Sequence, residues 1–471
     1  MKSAWKLGIL VFSFLAFLSA CQQSGDDGVP PPVSTHKWKW VSGSNTVNQA
    51  GTYGTQGTAD PSNVPGAREH AVSWIDTGGN LWLFGGYAYD PAGYIGQLND
   101  LWKFDPATLE WTWVSGSDAR FQAGIYGTKG MAAPSNVPGA RVGSVSWSDP
   151  QDKLWLFGGL GYDETGHYGS LNDLWKYDPA TLEWTWVSGN NAGDQAGTYG
   201  TQGTADPSNV PGARAGAVSW LDSSSILWLF GGYGYDSAGN KGWLNDLWKY
   251  DPTTVEWTWI SGSNAMDQAG TYGTKGTADP ANIPGGRYEA VSWFDPSGIL
   301  WLFGGDGLDS AGTRGDLDDL WKYDPTTLEW TWASGSDTGD RLGSYGTLGV
   351  IDLANVPGGR YTALTWVDSS GKLWLFGGCG YDSFGNRGWL NDLWKFDPTL
   401  LAWAWEAGGN TVSKSGTYGT KGTADSTNIP GARYFAISWI DLQGKFWLFG
   451  GYGSDSAGTG GRLNDLWQMT Q

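Results

Sequence analysis

The chain has 471 residues and carries 47 acidic against 28 basic side chains, a formal net charge of −19. A charge of this size and sign repels a phosphate backbone, which argues against nucleic acid as a partner. The chain contains 33 tryptophans but only three histidines. It is therefore rich in aromatic side chains for a packed core and poor in imidazole ligands for a transition metal.

The first segment in chain order is a leader. Residues 1–20 place two lysines before an apolar stretch and end in small residues, the pattern of a secretory signal peptide. The sequence Leu-Ser-Ala-Cys that ends at Cys21 resembles the bacterial lipobox, and the resemblance implies that Cys21 is lipidated. The alternative is an ordinary signal peptide with an incidental cysteine. We expect export to the bacterial cell envelope, where the lipid alone holds the protein on a membrane.

The next two segments are a tether and a repeat domain. Residues 21–33 are rich in Gly, Ser, Asp and Pro, which is typical of a flexible linker. Residues 34–471 repeat every 73 positions, and an arginine after Pro-Gly-Ala or Pro-Gly-Gly marks each of six copies. These arginines are Arg68, Arg141, Arg214, Arg287, Arg360 and Arg433. Positions that are alike in all copies build the frame, whereas positions that differ are candidates for a binding surface.

Each copy contains four short strand patterns, and the third copy shows them clearly. The patterns cover residues 217–220, 226–230, 247–250 and 256–259. We expect the second strand to end at Gly231-Gly232, because glycine weakens a strand interior. No stretch has the periodicity of a helix. The repeat therefore predicts an all-β protein.

Four antiparallel strands per copy, repeated radially, form the blades of a β-propeller. The Gly-Gly pair, the following Asn-Asp-Leu-Trp-Lys segment and a later pair of tryptophans resemble the kelch repeat in all six copies. The resemblance implies a six-bladed kelch-type propeller. The copies depart from the family in length, because kelch repeats have about 50 residues. The last copy lacks a fourth strand, so we predict that the N-terminal strand around Trp38 and Trp40 pairs into the last blade and closes the ring.

Within the repeat domain, two tryptophans fall outside the repeat pattern. Five per copy occupy fixed positions and are expected in the core. Trp243 and Trp389 instead stand where the other copies have Gln97, Ser170, Asp316 and Arg462. We expect them in the loops between strands two and three, on the face that also carries the long four-to-one loops. There they could stack on sugar rings or anchor a protein partner. Alternatively, each packs under its own glycine-rich loop.

The residues just after each repeated arginine also differ, and strand one of a propeller lines its channel. Glu69, His70, Tyr288, Glu289, Tyr361 and Tyr434 form an aromatic and acidic set at these positions. Such a set suits a polyhydroxylated ligand. The alternative is random variation beside a channel that holds only water. The arginines themselves are expected to be structural and to pair with repeated carboxylates such as Asp100 and Asp105.

The fourth copy carries additional acidic residues, Asp306, Asp316, Asp318 and Asp319. Calcium prefers oxygen ligands, so this group is a weak candidate for a calcium site. Its spacing matches no EF-hand loop. We predict no cofactor.

Two classes of function fit these observations. The first is a surface-anchored binding or scaffolding propeller that recognises a glycan or a protein through its long four-to-one and two-to-three loops. The second is a carbohydrate-active enzyme, because the kelch-like resemblance extends to copper-dependent galactose oxidases and a sialic-acid mutarotase. The copper chemistry needs imidazoles, and only His36, His70 and His167 are present. Glu69, His70 and Glu289 could instead act as acids and bases.

Overall fold

The computed structural model describes residues 36–470. The predicted signal peptide, the lipidation of Cys21 and the tether lie outside these residues. The described part is all-β, and it contains no helix that could span a membrane.

Each of the first five repeats contributes a two-residue strand that begins at the repeated arginine, then a four-residue strand, two longer strands and an outer strand. In the sixth repeat each of the two longer strands is interrupted, and the N-terminal strand is the outer strand. The first two repeats and the N-terminal segment comprise β1 (Lys37–Ser42), β2 (Arg68–Glu69), β3 (Val72–Ile75), β4 (Leu81–Tyr89), β5 (Ile95–Asp105), β6 (Glu110–Ser115), β7 (Ala132–Ala133), β8 (Arg141–Val142), β9 (Val145–Ser148), β10 (Leu154–Tyr162), β11 (Tyr168–Asp178) and β12 (Glu183–Ser188). The third and fourth comprise β13 (Arg214–Ala215), β14 (Val218–Leu221), β15 (Leu227–Tyr235), β16 (Lys241–Asp251), β17 (Glu256–Ser261), β18 (Arg287–Tyr288), β19 (Val291–Phe294), β20 (Leu300–Leu308), β21 (Arg314–Asp324) and β22 (Glu329–Ser334). The fifth and sixth comprise β23 (Ile351–Asp352), β24 (Arg360–Tyr361), β25 (Leu364–Val367), β26 (Leu373–Tyr381), β27 (Arg387–Asp397), β28 (Ala402–Ala407), β29 (Ala424–Asp425), β30 (Arg433–Tyr434), β31 (Ile437–Ile440), β32 (Phe446–Phe449), β33 (Tyr452–Ser454), β34 (Gly460–Arg462) and β35 (Leu466–Thr470).

The strands of each of the first five repeats form one antiparallel sheet, as the third repeat illustrates, whereas those of the sixth are divided between two sheets. The order in the third repeat is β13-β15-β16-β17, and β14 also pairs with β15. The long connection that precedes a repeat then runs along the outer strand of that repeat: β7 pairs with β12, β23 with β28 and β29 with β1. Part of the length in excess of an ordinary kelch repeat thus covers sheet edges that would otherwise be exposed.

In the first five repeats the Gly-Gly pair does not end the second strand, which corrects the prediction; in the sixth repeat β32 does end at Phe449, directly before Gly450-Gly451. Strand β15 continues through Gly231 and Gly232, whose φ angles are 67° and 97°. The pairing register with β16 shifts between Phe230 and Gly232, as it does at a β-bulge. A Cβ on Gly231 would lie 3.0 Å from the carbonyl oxygen of Arg287 in the next repeat. Glycine is therefore required for close packing of neighbouring repeats, and the strands extend to a tight turn at 236–240.

The core lies between neighbouring sheets. Trp74, Trp82 and Phe84 of the first repeat pack with Trp175 and Trp184 of the second, and all five are buried. Equivalent clusters join each consecutive pair of repeats. The fixed tryptophans are thus mainly core residues, as predicted.

The first and last repeats are also in contact. Strand β1 pairs antiparallel with β35, with Trp38 opposite Met469. Trp439 of the last repeat packs in one cluster with Leu81 and Trp102 of the first, and its Nε1 donates to the carbonyl of Trp82 at 3.3 Å.

Candidate functional site

The repeated arginines are part of the frame, as the sequence predicted. Arg214 donates to Asp246 through Nη1 and Nη2, at 2.6 and 2.7 Å, and both side chains are almost fully buried. Asp246 also accepts from the Tyr199 hydroxyl at 2.6 Å and from the Trp248 indole at 2.7 Å. Burial and the neighbouring Asp246 raise the pKa of Tyr199 well above its ordinary value, so the hydroxyl remains a donor. The buried charges are therefore paired and hydrogen-bonded, as stability requires.

The same pair occurs in all six repeats: Arg68 with Asp100, Arg141 with Asp173, Arg214 with Asp246, Arg287 with Asp319, Arg360 with Asp392 and Arg433 with Asp465. Of the two carboxylates named from the sequence, Asp100 is the partner. Asp105 instead accepts from the backbone N–H of Ala107 in the turn before the outer strand. The arginines thus offer no free cation ring.

The positions that differ between repeats lie side by side across three strands. In the third repeat Ala215 is opposite Tyr233, and Tyr233 is opposite Trp243. We call these triplets the variable rows. They are Glu69–Tyr87–Gln97, Val142–Leu160–Ser170, Ala215–Tyr233–Trp243, Tyr288–Asp306–Asp316, Tyr361–Cys379–Trp389 and Tyr434–Tyr452–Arg462. The variation is thus concentrated in one register of every sheet.

The residue after each short arginine strand forms a belt that links the repeats. Its members are His70, Gly143, Gly216, Glu289, Thr362 and Phe435, with φ angles between 55° and 62°. Backbone hydrogen bonds of 2.8–3.2 Å run from each of the first five members to a belt residue of another repeat. A non-glycine residue in this left-handed region costs about 1 kcal/mol or more, which the surrounding structure must offset. The belt also brings together side chains of the first and fourth repeats, since His70 Nε2 lies 3.4 Å from Glu289 Oε1.

The third and fourth repeats form the more open part of this site. A Cβ on Gly216 would lie 2.2 Å from the ring of Tyr288, so glycine makes room for that ring. Trp243 is half-buried on β16 and is therefore part of a strand and not of a loop as predicted. The guanidinium of Arg314 lies 4.5 Å from the centre of the Trp243 ring and partly covers it.

The fifth, sixth and first repeats form a more closed part. Trp389 lies on β27, is only 6% exposed and packs against Tyr452 at 5.3 Å between ring centres. Its cluster includes Tyr361 and Tyr434. Trp389 is thus buried, as the packing alternative predicted, but it packs against the sixth repeat and not under its own glycine-rich loop. Arg462 joins this cluster to the first repeat, because its guanidinium reaches Glu69 Oε1 at 2.5 Å.

The four acidic residues of the fourth repeat do not form one site. Asp306 accepts from Arg314, Asp316 from Arg387 and Asp319 from Arg287. Asp318 Oδ1 accepts from the backbone N–H of Ser336. Adjacent strand residues point to opposite faces, which separates Asp318 from Asp319. Between residues 36 and 470 no group of three or more His, Cys, Asp or Glu side chains is arranged to hold a metal ion, so the calcium hypothesis has no structural support.

The histidines are also dispersed. His36 contacts Glu406 at 3.4 Å and His167 contacts Asp194 at 3.2 Å, whereas His70 lies in the belt. They share no carboxylate partner, and the described residues therefore provide no multi-histidine copper centre.

Several residues of the site were not predicted. Tyr87, Tyr233 and Tyr452 are the middle members of their variable rows and lie just beyond the Gly-Gly pair. Arg314 and Arg387 each lie two residues before the third member of a variable row. The sequence does contain a signal, because the residue after Gly-Gly differs between copies. A strand that ends at the glycines leaves this position outside the sheet, so the prediction does not include it.

Comparison with known proteins supports the repeat type. A family model described as the KLHDC2/KLHL20/DRC7 Kelch-repeats domain matches residues 128–332. A comparison with curated proteins found no match. The family match over residues 128–332 and the repeated antiparallel sheets together support a kelch-type β-propeller.

Proposed function

We propose that this protein is an exported, lipid-anchored binding propeller with six blades in a closed ring. Its partner is a protein or a glycan, and recognition uses the variable rows and the belt together with the long four-to-one and two-to-three connections. The kelch-repeat match supports a protein-binding role. The observation that carries the proposal is the contrast between six identical Arg–Asp pairs and six different variable rows in the same sheets.

Contacts between the ends of the chain support closure of the ring. Strand β1 supplies the outer strand of the last repeat, and the backbone N–H of His70 donates to the carbonyl of Phe435 at 3.1 Å. A closed ring protects the terminal sheets and makes unfolding cooperative. The closed frame would hold the variable rows rigidly, as a binding surface requires.

The accessible contact surface is centred on Trp243, Tyr288 and Glu289. All three are half-buried, so each retains exposed area for a ligand. The aromatic rings can stack on a sugar or on an apolar side chain, and the neighbouring carboxylate can accept hydrogen bonds from the same ligand. Glu69, His70, Tyr361 and Tyr434 are more deeply buried and would support the contact surface from behind.

A carbohydrate-active enzyme is the second candidate, and one contact favours it. His70 and Glu289 face each other at 3.4 Å, and such a pair can transfer protons to and from a bound sugar. This function would use the same surface. It differs from simple binding only in turnover.

The two candidates can be tested with one set of variants. A glycan array and a panel of envelope proteins are screened with the wild type, with Trp243→Ala and with Thr253→Ala, which changes an exposed turn residue of the same repeat outside the variable rows and the belt. We expect Trp243→Ala to weaken binding of any ligand by about tenfold or more, as loss of an aromatic contact does. Thr253→Ala should retain binding. Equal affinity of all three proteins would reject the proposed surface.

The enzyme alternative requires an additional measurement. Turnover of the bound sugar is followed for the wild type and Glu289→Gln. Turnover that is lost in Glu289→Gln while binding persists would favour the enzyme. A stable, unconverted ligand would favour the binding protein.

A further inference from the structure

A second surface differs between the repeats, beside the outer strand of the fourth repeat. A groove of about 710 Å³ lies there between β22 and the connection to the fifth repeat. Its apolar wall includes Trp332, Ala333, Leu342, Leu353 and Leu401. None of its lining residues belongs to the variable rows or to the belt, so it is a separate surface.

The groove exists where this repeat has a smaller side chain than its equivalents. Ala333 occupies the position of valine in three repeats and isoleucine in another; the fifth repeat has Glu406. The missing methyl groups open space next to Trp332. The remaining frame residues, such as Val356 and Leu401, have branched aliphatic equivalents elsewhere.

The rim of the groove has gained apolar residues. Leu342 is 52% exposed and Leu353 is 77% exposed. Their equivalents are alanine or serine for Leu342 and proline or serine for Leu353. The other repeats fold without large apolar side chains here, so packing does not require them. Exposed apolar area of this kind is typical of an interaction surface.

The outward-facing charges of the groove are positive. Arg341 and Lys275 are exposed on its rim, and neither makes an ion pair with any residue between 36 and 470. Four of the five equivalents of Arg341 are glutamine. The two acidic lining residues are less available: Asp337 contacts the Ser310 hydroxyl at 3.5 Å, and burial raises the pKa of the floor residue Asp318 to about 7.

We propose that this groove is a docking site for a protein segment in which an apolar side chain is flanked by carboxylates. The apolar side chain enters the space beside Ala333 and Trp332. The carboxylates contact Arg341 and Lys275 on the rim. The groove is small for a protein interface, so the interaction is of the weak and transient class.

The test is selection of random peptides displayed on phage against the purified protein. We expect enrichment of peptides that combine a leucine, isoleucine or phenylalanine with neighbouring aspartate or glutamate. The affinity of the enriched peptides is then measured by fluorescence anisotropy with synthetic copies. Ala333→Val and Arg341→Gln restore residues that other repeats carry and should each weaken binding by about tenfold. Lys129→Gln removes a positive charge at another junction and should leave binding unchanged.

Several results would overturn the proposal. It fails if no such peptides are enriched, or if enriched peptides bind Ala333→Val and Arg341→Gln as well as the wild type. It also fails if Ala333→Val abolishes self-association in sedimentation, because the occupant is then a second copy. Trp243→Ala should retain peptide binding, which separates this test from that of the variable rows.

Discussion

Asp318 offers a sharp test of how one residue can change the pH dependence of stability. The other five repeats have asparagine at this position, as in Asn245. There the amide oxygen accepts from a backbone N–H, and Nδ2 donates to a proline carbonyl of the next repeat at 3.3 Å. Asp318 keeps the first contact, from Ser336 at 3.0 Å. An ionised carboxylate cannot make the second contact, because it has no proton to donate.

Burial raises the pKa of Asp318 to about 7, while Arg341 and the Ser336 N–H oppose the rise and Asp319 adds to it. The ordinary value is near 3.9, so the folded state retains a proton that the unfolded state has already lost between about pH 4 and 7. The free energy of unfolding therefore falls as pH rises through this window. The difference of about 3 pKa units corresponds to about 4 kcal/mol at pH 8.

Asp318→Asn removes this penalty. We expect the variant and the wild type to have similar stability at pH 4, and the variant to gain up to about 4 kcal/mol at pH 8. The described domain is large, so the corresponding rise in melting temperature is about 4 °C. The measurement is the difference in melting temperature between the two proteins, recorded by circular dichroism from pH 4 to 8.

The control is the reciprocal variant Asn245→Asp, which should be destabilised at pH 8 and recover towards pH 4. A difference between Asp318→Asn and the wild type that does not change with pH would refute the reasoning. So would an Asn245→Asp protein whose stability relative to the wild type is independent of pH.

Three further predictions concern the frame and the site. Asp246→Asn leaves Arg214 buried without its carboxylate and should cost about 3–5 kcal/mol of unfolding free energy, measured by urea denaturation; an unchanged midpoint would contradict the buried pair. Deletion of residues 35–43 removes the strand that pairs with β35 and should lower the melting temperature markedly, whereas an unaltered melt would reject ring closure. Gly216→Ala places a Cβ 2.2 Å from Tyr288 and should weaken ligand binding by displacing that ring. The control is Gly203→Ala, at another positive-φ glycine, where the added Cβ would meet no atom within 4 Å. Equal binding by the two variants would count against a role for Tyr288.

The local pattern predicted much of the frame and only part of the site. Alternating and continuous apolar residues locate the strands because side chains alternate along a strand and cores exclude water. The prediction from the Gly-Gly pair is wrong in five repeats because the same glycines that weaken a strand also permit a bulge against the next repeat. The pattern therefore predicts a loop at Trp243 and gives no role to its neighbour Tyr233.

The sequence by itself determined the 73-residue period and the fixed tryptophans, because both follow from comparing the copies, and the all-β class, because it follows from residues close together in the chain. Only the tertiary structure decided which distant residues meet. Strand register places Ala215, Tyr233 and Trp243 in one row, the left-handed belt brings His70 to Glu289, and packing between repeats buries Trp389. These contacts depend on pairing and packing across many residues, and the local pattern of a single strand does not encode them.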